Sequence, residues 1–317
     1  MRARITRRVG RRSTTIAVLA TVATCAIGVL PAAAQVVPEA GEASQILSST
    51  LVSNWYASPP GANTGCRPSS GHPYPVVLSE GTFFNMYNSF GAIAPDLADN
   101  GYCVYAFNYG QTIDPSMFDA MGDIPKSAKQ LSSFVDQVLS ETGAKKVDIV
   151  GWSQGGMMPR YYIDDLGGAS KVNMLVGFAP SNYGTTVDGL TTLLGDLGLV
   201  GVTTTLLSVK CEACTQQLQG SSFLASLNRK PTVSSVKYVV IETEDDEVVT
   251  PYTNAFLPAA PNVSNILVQD QCPQDHSDHI SIPYDSNALA DMINALGPDS
   301  PDFVPTCQSV GPLIGNA

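Results

Sequence analysis

Histidine is scarce in this chain. Its 317 residues contain only His72, His276 and His279, so any reaction that needs an imidazole has three candidates. The same scarcity weighs against a metal centre. Cys211-Glu212-Ala213-Cys214 has the spacing of a zinc knuckle or a redox pair, but zinc needs two further soft ligands and the histidines lie elsewhere along the chain, so a small structural disulfide is expected there. Positive charge is also limited, with 17 Lys plus Arg against 28 Asp plus Glu, and Arg2, Arg4, Arg7, Arg8, Arg11 and Arg12 sit together at the N-terminus. Without those six, 11 basic residues (17 less six) face 28 acidic ones, a formal balance of about −17. Such a surface repels phosphate backbones and anionic headgroups, which argues against a nucleic-acid partner. Past the N-terminal region no segment reaches the roughly 18 uninterrupted apolar residues of a stable membrane span. Internal repeats and Pro/Ser-rich linkers are missing too, so one domain is the simplest organisation.

What is present begins with an export signal. The arginine cluster is followed by the uncharged apolar stretch 16–30 and by Ala32-Ala33-Ala34, the three zones of a secretory leader over residues 1–34. Lipid attachment at Cys25 is the rival reading, but Thr24 is a poor residue before such a cysteine. The expected product is secreted, with residues 35–317 as its single domain. Six cysteines remain in it, Cys66, Cys103, Cys211, Cys214, Cys272 and Cys307. An even set in an oxidising compartment reads as three disulfides, and the sequence does not choose among the possible connectivities. The working expectation is 66 with 103, 211 with 214, and 272 with 307.

From Tyr74 onward short apolar runs alternate with longer amphipathic ones. Strands are expected over 75–79, 102–107, 147–150, 172–178, 236–242 and 263–268. Helices are expected near 92–100, from an Asp123 cap with early Pro125 to Gly143, over 154–164 and over 287–296. Strands alternating with helices predict an α/β fold, a mostly parallel sheet covered on both faces. In such a sheet ligands bind at the carboxyl ends of the strands. Gly151-Trp152-Ser153-Gln154-Gly155 stands between a strand and a helix, where glycines permit the sharp turn that holds a serine hydroxyl over the sheet. The bland alternative is a glycine-rich turn with an incidental serine.

A serine hydroxyl becomes a useful nucleophile when a histidine takes its proton, and the histidine needs a carboxylate to orient it. The fold order places acid, then histidine, after later strands. His72 precedes the first strand, which leaves His276 or His279. The acid falls in Glu242-Thr243-Glu244-Asp245-Asp246-Glu247, a run that would otherwise read as a solvated loop.

These motifs carry a resemblance. Pro75-Val76-Val77-Leu78 leading to Gly81-Thr82-Phe83, Trp152-Ser153-Gln154-Gly155-Gly156, Gly177-Phe178-Ala179-Pro180, Asp246-Glu247-Val248-Val249 and Ser277-Asp278-His279 together resemble the secreted class 2 lipases of actinobacteria, over 66–307. More distantly the chain is similar to Candida antarctica lipase B and the small Bacillus lipase. The resemblance implies the α/β-hydrolase fold and a triacylglycerol lipase or esterase working without cofactor or metal. It implies Ser153 as nucleophile, Asp246 as acid with Asp245 in reserve, and His279 as base with His276 second. Thr82 and the backbone N–H of Gln154 would form the oxyanion hole.

Two positions depart from the family: Glu80 and Trp152 stand where histidine is usual. Glu80 is therefore expected to point away and accept backbone hydrogen bonds, or to have a raised pKa. The similarity to the Candida antarctica lipase, which also has tryptophan there, implies that Trp152 lines the pocket for the leaving alcohol. The apolar segment 185–209, with Leu190, Leu193, Leu194 and Leu197 at helical spacing, reads either as a helix packed on the sheet or as a lid, with Leu190 a pocket candidate, exposing apolar surface at a lipid–water interface. The tail 297–317 is expected to wrap the surface, tied by Cys307. An acyltransferase using the same three residues, and a silent binding protein on the same fold with Glu80 as its support, are the alternative functions. Oligomeric state has no signature in the sequence.

Overall fold

The computed structural model describes residues 56–112, 118–197, 211–298, 300 and 302–312. The expected leader lies outside the described residues, as do residues 198–209 of the apolar segment. Six strands form one sheet: β1 (Val76–Ser79), β2 (Val104–Ala106), β3 (Val147–Trp152), β4 (Val172–Phe178), β5 (Lys237–Glu242) and β6 (Val263–Leu267). They run in the order β2-β1-β3-β4-β5-β6 with every pairing parallel. All of β1 and β3 is buried, side chains of both alternating sets included, so helices must cover both faces.

Those helices are α1 (Met86–Ser89), α2 (Ile93–Asp99), α3 (Ile124–Thr142), α4 (Gln154–Asp165), α5 (Val187–Asp196), α6 (Glu212–Gln216), α7 (Ser222–Leu227), α8 (Val268–Gln271) and α9 (Ser286–Leu296). The longest, α3, follows its sequence signals closely. Asp123 caps it by accepting from the Lys126 N–H, and Gly143 ends it at φ 72°, donating to the Leu139 carbonyl. Ile124, Ala128, Leu131, Val135 and Val138 are its buried stripe, the three-and-four spacing of one helix face. Short α1 carried no clear periodicity; its Asn85–Asn88 capping box is a local hydrogen-bond device that apolar patterning does not reveal.

The strand order creates the site's position. From β1 the chain steps outward to β2, then crosses back to β3 on the other side of β1. Loops leaving β1 and β3 therefore diverge, and a crevice opens where their carboxyl ends lie side by side. Ser79 of β1 is in register with Gly151 of β3.

Three glycines allow the elements around that crevice to touch. A Cβ on Gly151 would lie 1.9 Å from the Gly155 carbonyl oxygen, and one on Gly155 would lie 1.8 Å from the Ser79 carbonyl oxygen. One on Gly156 would meet the Pro180 side chain at 2.8 Å. The first turn of α4 is thus pressed directly on the ends of β1 and β4. Farther along α4, buried Arg160 donates to the carbonyl of Pro231 and to oxygens of Asn182 and Asn228. Burial among these neutral partners lowers its pKa to about 10, and the hydrogen bonds join the helix to the loops after β4 and α7.

The cysteines pair as expected: Cys66 with Cys103, Cys211 with Cys214, and Cys272 with Cys307. The first and third close loops of 37 and 35 residues, each stabilising the fold by about 4 kcal/mol in the chain-entropy treatment. The third also holds the tail against the His276–His279 loop, where the His276 N–H donates to the Val310 carbonyl.

Gly155→Ala is expected to lower stability by more than about 3 kcal/mol, since backbone and not a flexible side chain blocks the added methyl; denaturant unfolding of the variant beside wild type checks this.

Candidate active site

Each strand end bordering the crevice is followed by a residue in strained backbone. Phe83, Ser153 and Ala179 have φ of 70°, 53° and 41° without being glycine, a conformation costing of order 1–3 kcal/mol apiece. Fixed hydrogen bonds hold them there: Ser153 N–H to the Phe178 carbonyl at 2.8 Å, Ala179 N–H to Ile241 at 2.9 Å, and Phe83 N–H to Asp119 at 3.1 Å. Ser153 is thereby turned out of the line of β3 at the mouth of α4.

Its Oγ lies 3.1 Å from Nε2 of His279, and Nδ1 of His279 lies 2.8 Å from Oδ2 of Asp246. The other Asp246 oxygen accepts the N–H groups of Val248 at 2.8 Å and Val249 at 2.7 Å. All three side chains are buried, with Ser153 retaining 5% exposure. Burial by itself would lower the His279 pKa, but Asp246, with Glu247 and Asp278, outweighs it and the net shift is upward.

The rival pair from the same loops is also found, in a different place. His276 Nδ1 is 3.1 Å from Asp245 Oδ2, with side chains 65% and 44% exposed. It is a surface pair and does not reach Ser153.

Several residues that join these loops carried no sequence signal. Thr243 donates its hydroxyl to the Ser277 carbonyl at 2.6 Å, and Gln269 donates to both Thr243 Oγ1 and the Asp275 carbonyl. These bonds link the acid-bearing loop to the histidine-bearing loop. The Asp278 carboxylate accepts from the Ile280 and Ser281 N–H groups, which shapes the turn at His279. Such polar partners depend on which loops fold together, and no residue spacing encodes that.

Opposite Ser153, the Thr82 hydroxyl donates to Oε1 of Gln154 at 2.7 Å, and buried Gln217 donates to both, at 2.8 and 2.9 Å. Gln217 in turn accepts from the Ser181 hydroxyl at 2.8 Å. It was missed in the sequence because it follows the short helix α6, far from any recognisable motif.

Glu80 satisfies both of its expected outcomes. Its Oε1 accepts the Tyr109 N–H at 2.9 Å, and burial raises its pKa well above the usual carboxyl value, with a smaller push from Asp119. Burial thus favours its protonated form. Trp152 is 2% exposed. Its indole donates to the His279 carbonyl at 3.0 Å and packs on Phe84, and a Cβ on Gly81 would meet the ring at 2.9 Å. Trp152 thus supports both the loop after β1 and the histidine from beneath.

Leu190 is buried on α5 with Leu193 and Leu194. That helix rests on the acid-bearing loop: a Cβ on Gly189 would lie 2.1 Å from the Val248 carbonyl, Thr185 donates to the same carbonyl, and the Thr186 and Thr250 hydroxyls are hydrogen-bonded at 2.7 Å. The described half of the apolar segment is therefore a packed helix. Among the described residues no helix is long and apolar enough to cross a membrane, and no group of three or more His, Cys, Asp or Glu is arranged to hold a metal ion.

A doubly covered parallel sheet with a strained serine after its third strand, and an acid and a histidine after its later strands, defines an α/β-hydrolase. Within that class the chain belongs to the class 2 lipases, the family description matching residues 73–281. Two triacylglycerol lipases, from Pseudarthrobacter phenanthrenivorans and Burkholderia plantarii, are each 37% identical over 93 residues, or 28% of this chain. The match spans about a quarter of those relatives, 27% and 24% of their lengths. Among solved structures, lipase B of Aspergillus fumigatus superposes with a TM-score of 0.60 at 18% identity, over 81% of this chain and 61% of its own. Mature lipase BlEst2 of Bacillus licheniformis gives 0.51 at 16% identity, over 73% and 94%. At these identities the likeness is one of fold.

The raised His279 pKa has a defined sign. The imidazolium stabilises the fold fully below the unfolded value of about 6.5, and that contribution is lost as pH rises through the higher folded value. NMR titration of the His279 ring is expected to give a midpoint above that of a free imidazole, and Asp246→Asn is expected to bring it down; a midpoint at or below the free value would contradict the electrostatic balance described.

Proposed function

We propose that this chain is a secreted serine carboxylic ester hydrolase, a triacylglycerol lipase or esterase. The observation that carries the reading is the continuous hydrogen-bonded series from Ser153 Oγ through His279 to Asp246 at the strand ends. In this reading His279 Nε2 takes the hydroxyl proton as Ser153 attacks the ester carbonyl. Asp246 holds the Nδ1–H tautomer and stabilises the imidazolium that forms. The protonated ring then gives its proton to the leaving alcohol, and water activated by the same nitrogen hydrolyses the acyl-enzyme.

The developing oxyanion is received by the backbone N–H groups of Gln154 and Thr82, each donor lowering the barrier by roughly 3 kcal/mol. Gln217 fixes the two side chains relative to each other, which supports a role in keeping that loop and helix end in register. Glu80 is compatible with this scheme, because burial favours its protonated form and its Oε1 is engaged by the Tyr109 N–H. Export is supported by the expected leader and by the three disulfides, which persist in oxidising compartments.

Hydrolysis of p-nitrophenyl esters of graded acyl length by the purified protein tests the reading. Turnover is expected in wild type and is expected to fall by at least about 10³-fold in Ser153→Ala. The acyl-length optimum would separate a lipase from a short-chain esterase, and product that depends on an added alcohol would indicate an acyltransferase. A folded wild type without turnover and without fluorophosphonate labelling at Ser153 would sink the proposal. Because His279 must be neutral to act as base, kcat/KM is expected to fall as pH drops through the raised His279 value, placing the acid limb above the ordinary imidazole range. Gln217→Leu is expected to lower kcat by roughly tenfold, the effect of loosening a buried polar cluster, with a smaller change in KM; steady-state kinetics checks this.

A further inference from the structure

At the last position of β5, four residues ahead of Asp246, the Glu242 carboxyl is fully buried and within hydrogen-bonding reach of the Asp246 carboxyl. Two ionised carboxylates do not share a site from which water is excluded; one of them takes up a proton. The hydrogen bonds decide which. Asp246 accepts three N–H groups, from Val248, Val249 and His279. Glu242 accepts one, the Thr243 N–H at Oε1, 2.9 Å, and its buried Oε2 receives no donor. Three donors favour the anion at Asp246, and the bare oxygen of Glu242 is the place for a proton.

We propose that Glu242 is held as the neutral acid and donates a hydrogen bond from Oε2 to the Asp246 carboxylate, acting as a positioning residue for Asp246 and His279. Burial first, and then Asp246, raise the Glu242 pKa well above the usual carboxyl range, in keeping with this arrangement. The consequence is electrostatic. His279 already faces Asp246, Glu247 and Asp278, Asp196 at the end of α5 feels both Asp278 and His279, and the Asp245–His276 pair lies on the surface of the same loops. A further anion at Glu242 would drive the His279 pKa higher and leave the ring protonated, and so unable to act as base, at neutral pH. A neutral donor instead tempers Asp246 and keeps the imidazole available.

The inference rests on the hydrolase reading for its effect on activity, but not for its protonation state. Three measurements on the full chain test it. The infrared difference spectrum of wild type against Glu242→Gln is expected to show, at neutral pH, the carbonyl band of a protonated carboxyl that the variant lacks. NMR titration of His279 is expected to move upward in Glu242→Leu, where Asp246 loses its donor, and to return to the wild-type value in Glu242→Gln, whose amide can donate to Asp246 and accept from Thr243. The kcat/KM profile is expected to follow: at least about tenfold lower in Glu242→Leu, with its acid limb raised, and restored by the glutamine. Absence of the infrared band, together with a His279 pKa lowered in Glu242→Gln, would mean that Glu242 is ionised and would overturn the proposal. Unchanged titration in a folded Glu242→Leu would overturn it equally. Should the leucine variant fail to fold, the infrared band and the glutamine titration still decide; should wild type prove inactive on esters, the function falls while these two readouts stand.

Discussion

The structure depends on a contact between two backbones. Where α4 begins, Gly155 lies so close to the Ser79 carbonyl that a methyl group there would occupy the oxygen's own space. That approach sets how far the turn after β3 stands from the loop after β1, and so where Ser153 lies relative to Thr82 and the Gln154 N–H. The positive φ values of Phe83, Ser153 and Ala179 are the cost of crowding three strand ends into one place. The closed packing of β1, β3 and β4, and their fixed hydrogen bonds, is what keeps these residues in conformations they would leave in an open chain.

Around that contact, charge is kept sparse. Glu80 and Glu242 are carboxyls with no exposed surface, their Oε1 atoms accepting the Tyr109 and Thr243 N–H groups, and each has a pKa raised by burial. Asp246 alone gathers three donors. Burial without matching donors, not residue type, is what favours the protonated form at Glu80 and Glu242. The acidic run at and after the end of β5, which reads as a solvated loop on composition, is divided by folding into the buried Asp246 beside His279, the buried Glu242 at the strand end and a surface pair partner, Asp245.

Much of this was legible because it is local. Apolar runs of β-branched residues mark strands, Asp123 and Gly143 mark the ends of α3, and Gly-x-Ser-x-Gly between a strand and a helix marks a tight turn. The order of strands and helices then narrows the histidine and the acid to two short loops. Within those loops residue types stop discriminating. His276 with Asp245 and His279 with Asp246 are each one imidazole and one carboxylate about 3 Å apart, and motif resemblance favoured the second pair without a physical reason.

By itself, then, the sequence determined the periodic elements, the parallel α/β arrangement, the serine turn and the candidates for its partners, since each follows from propensity and spacing within a few residues. Only the tertiary structure decided which histidine reaches Ser153, that Glu80 turns to Tyr109, that Gln217 joins Thr82 to Gln154, and that Glu242 is buried next to Asp246. Those are contacts across 29 to 135 positions of chain, apart from the last, and even Glu242 and Asp246 meet only because the loop between them folds back under cover. Water exclusion and donor count, which set the protonation of each carboxyl, come into being when the elements close on one another, and no short stretch of sequence contains them.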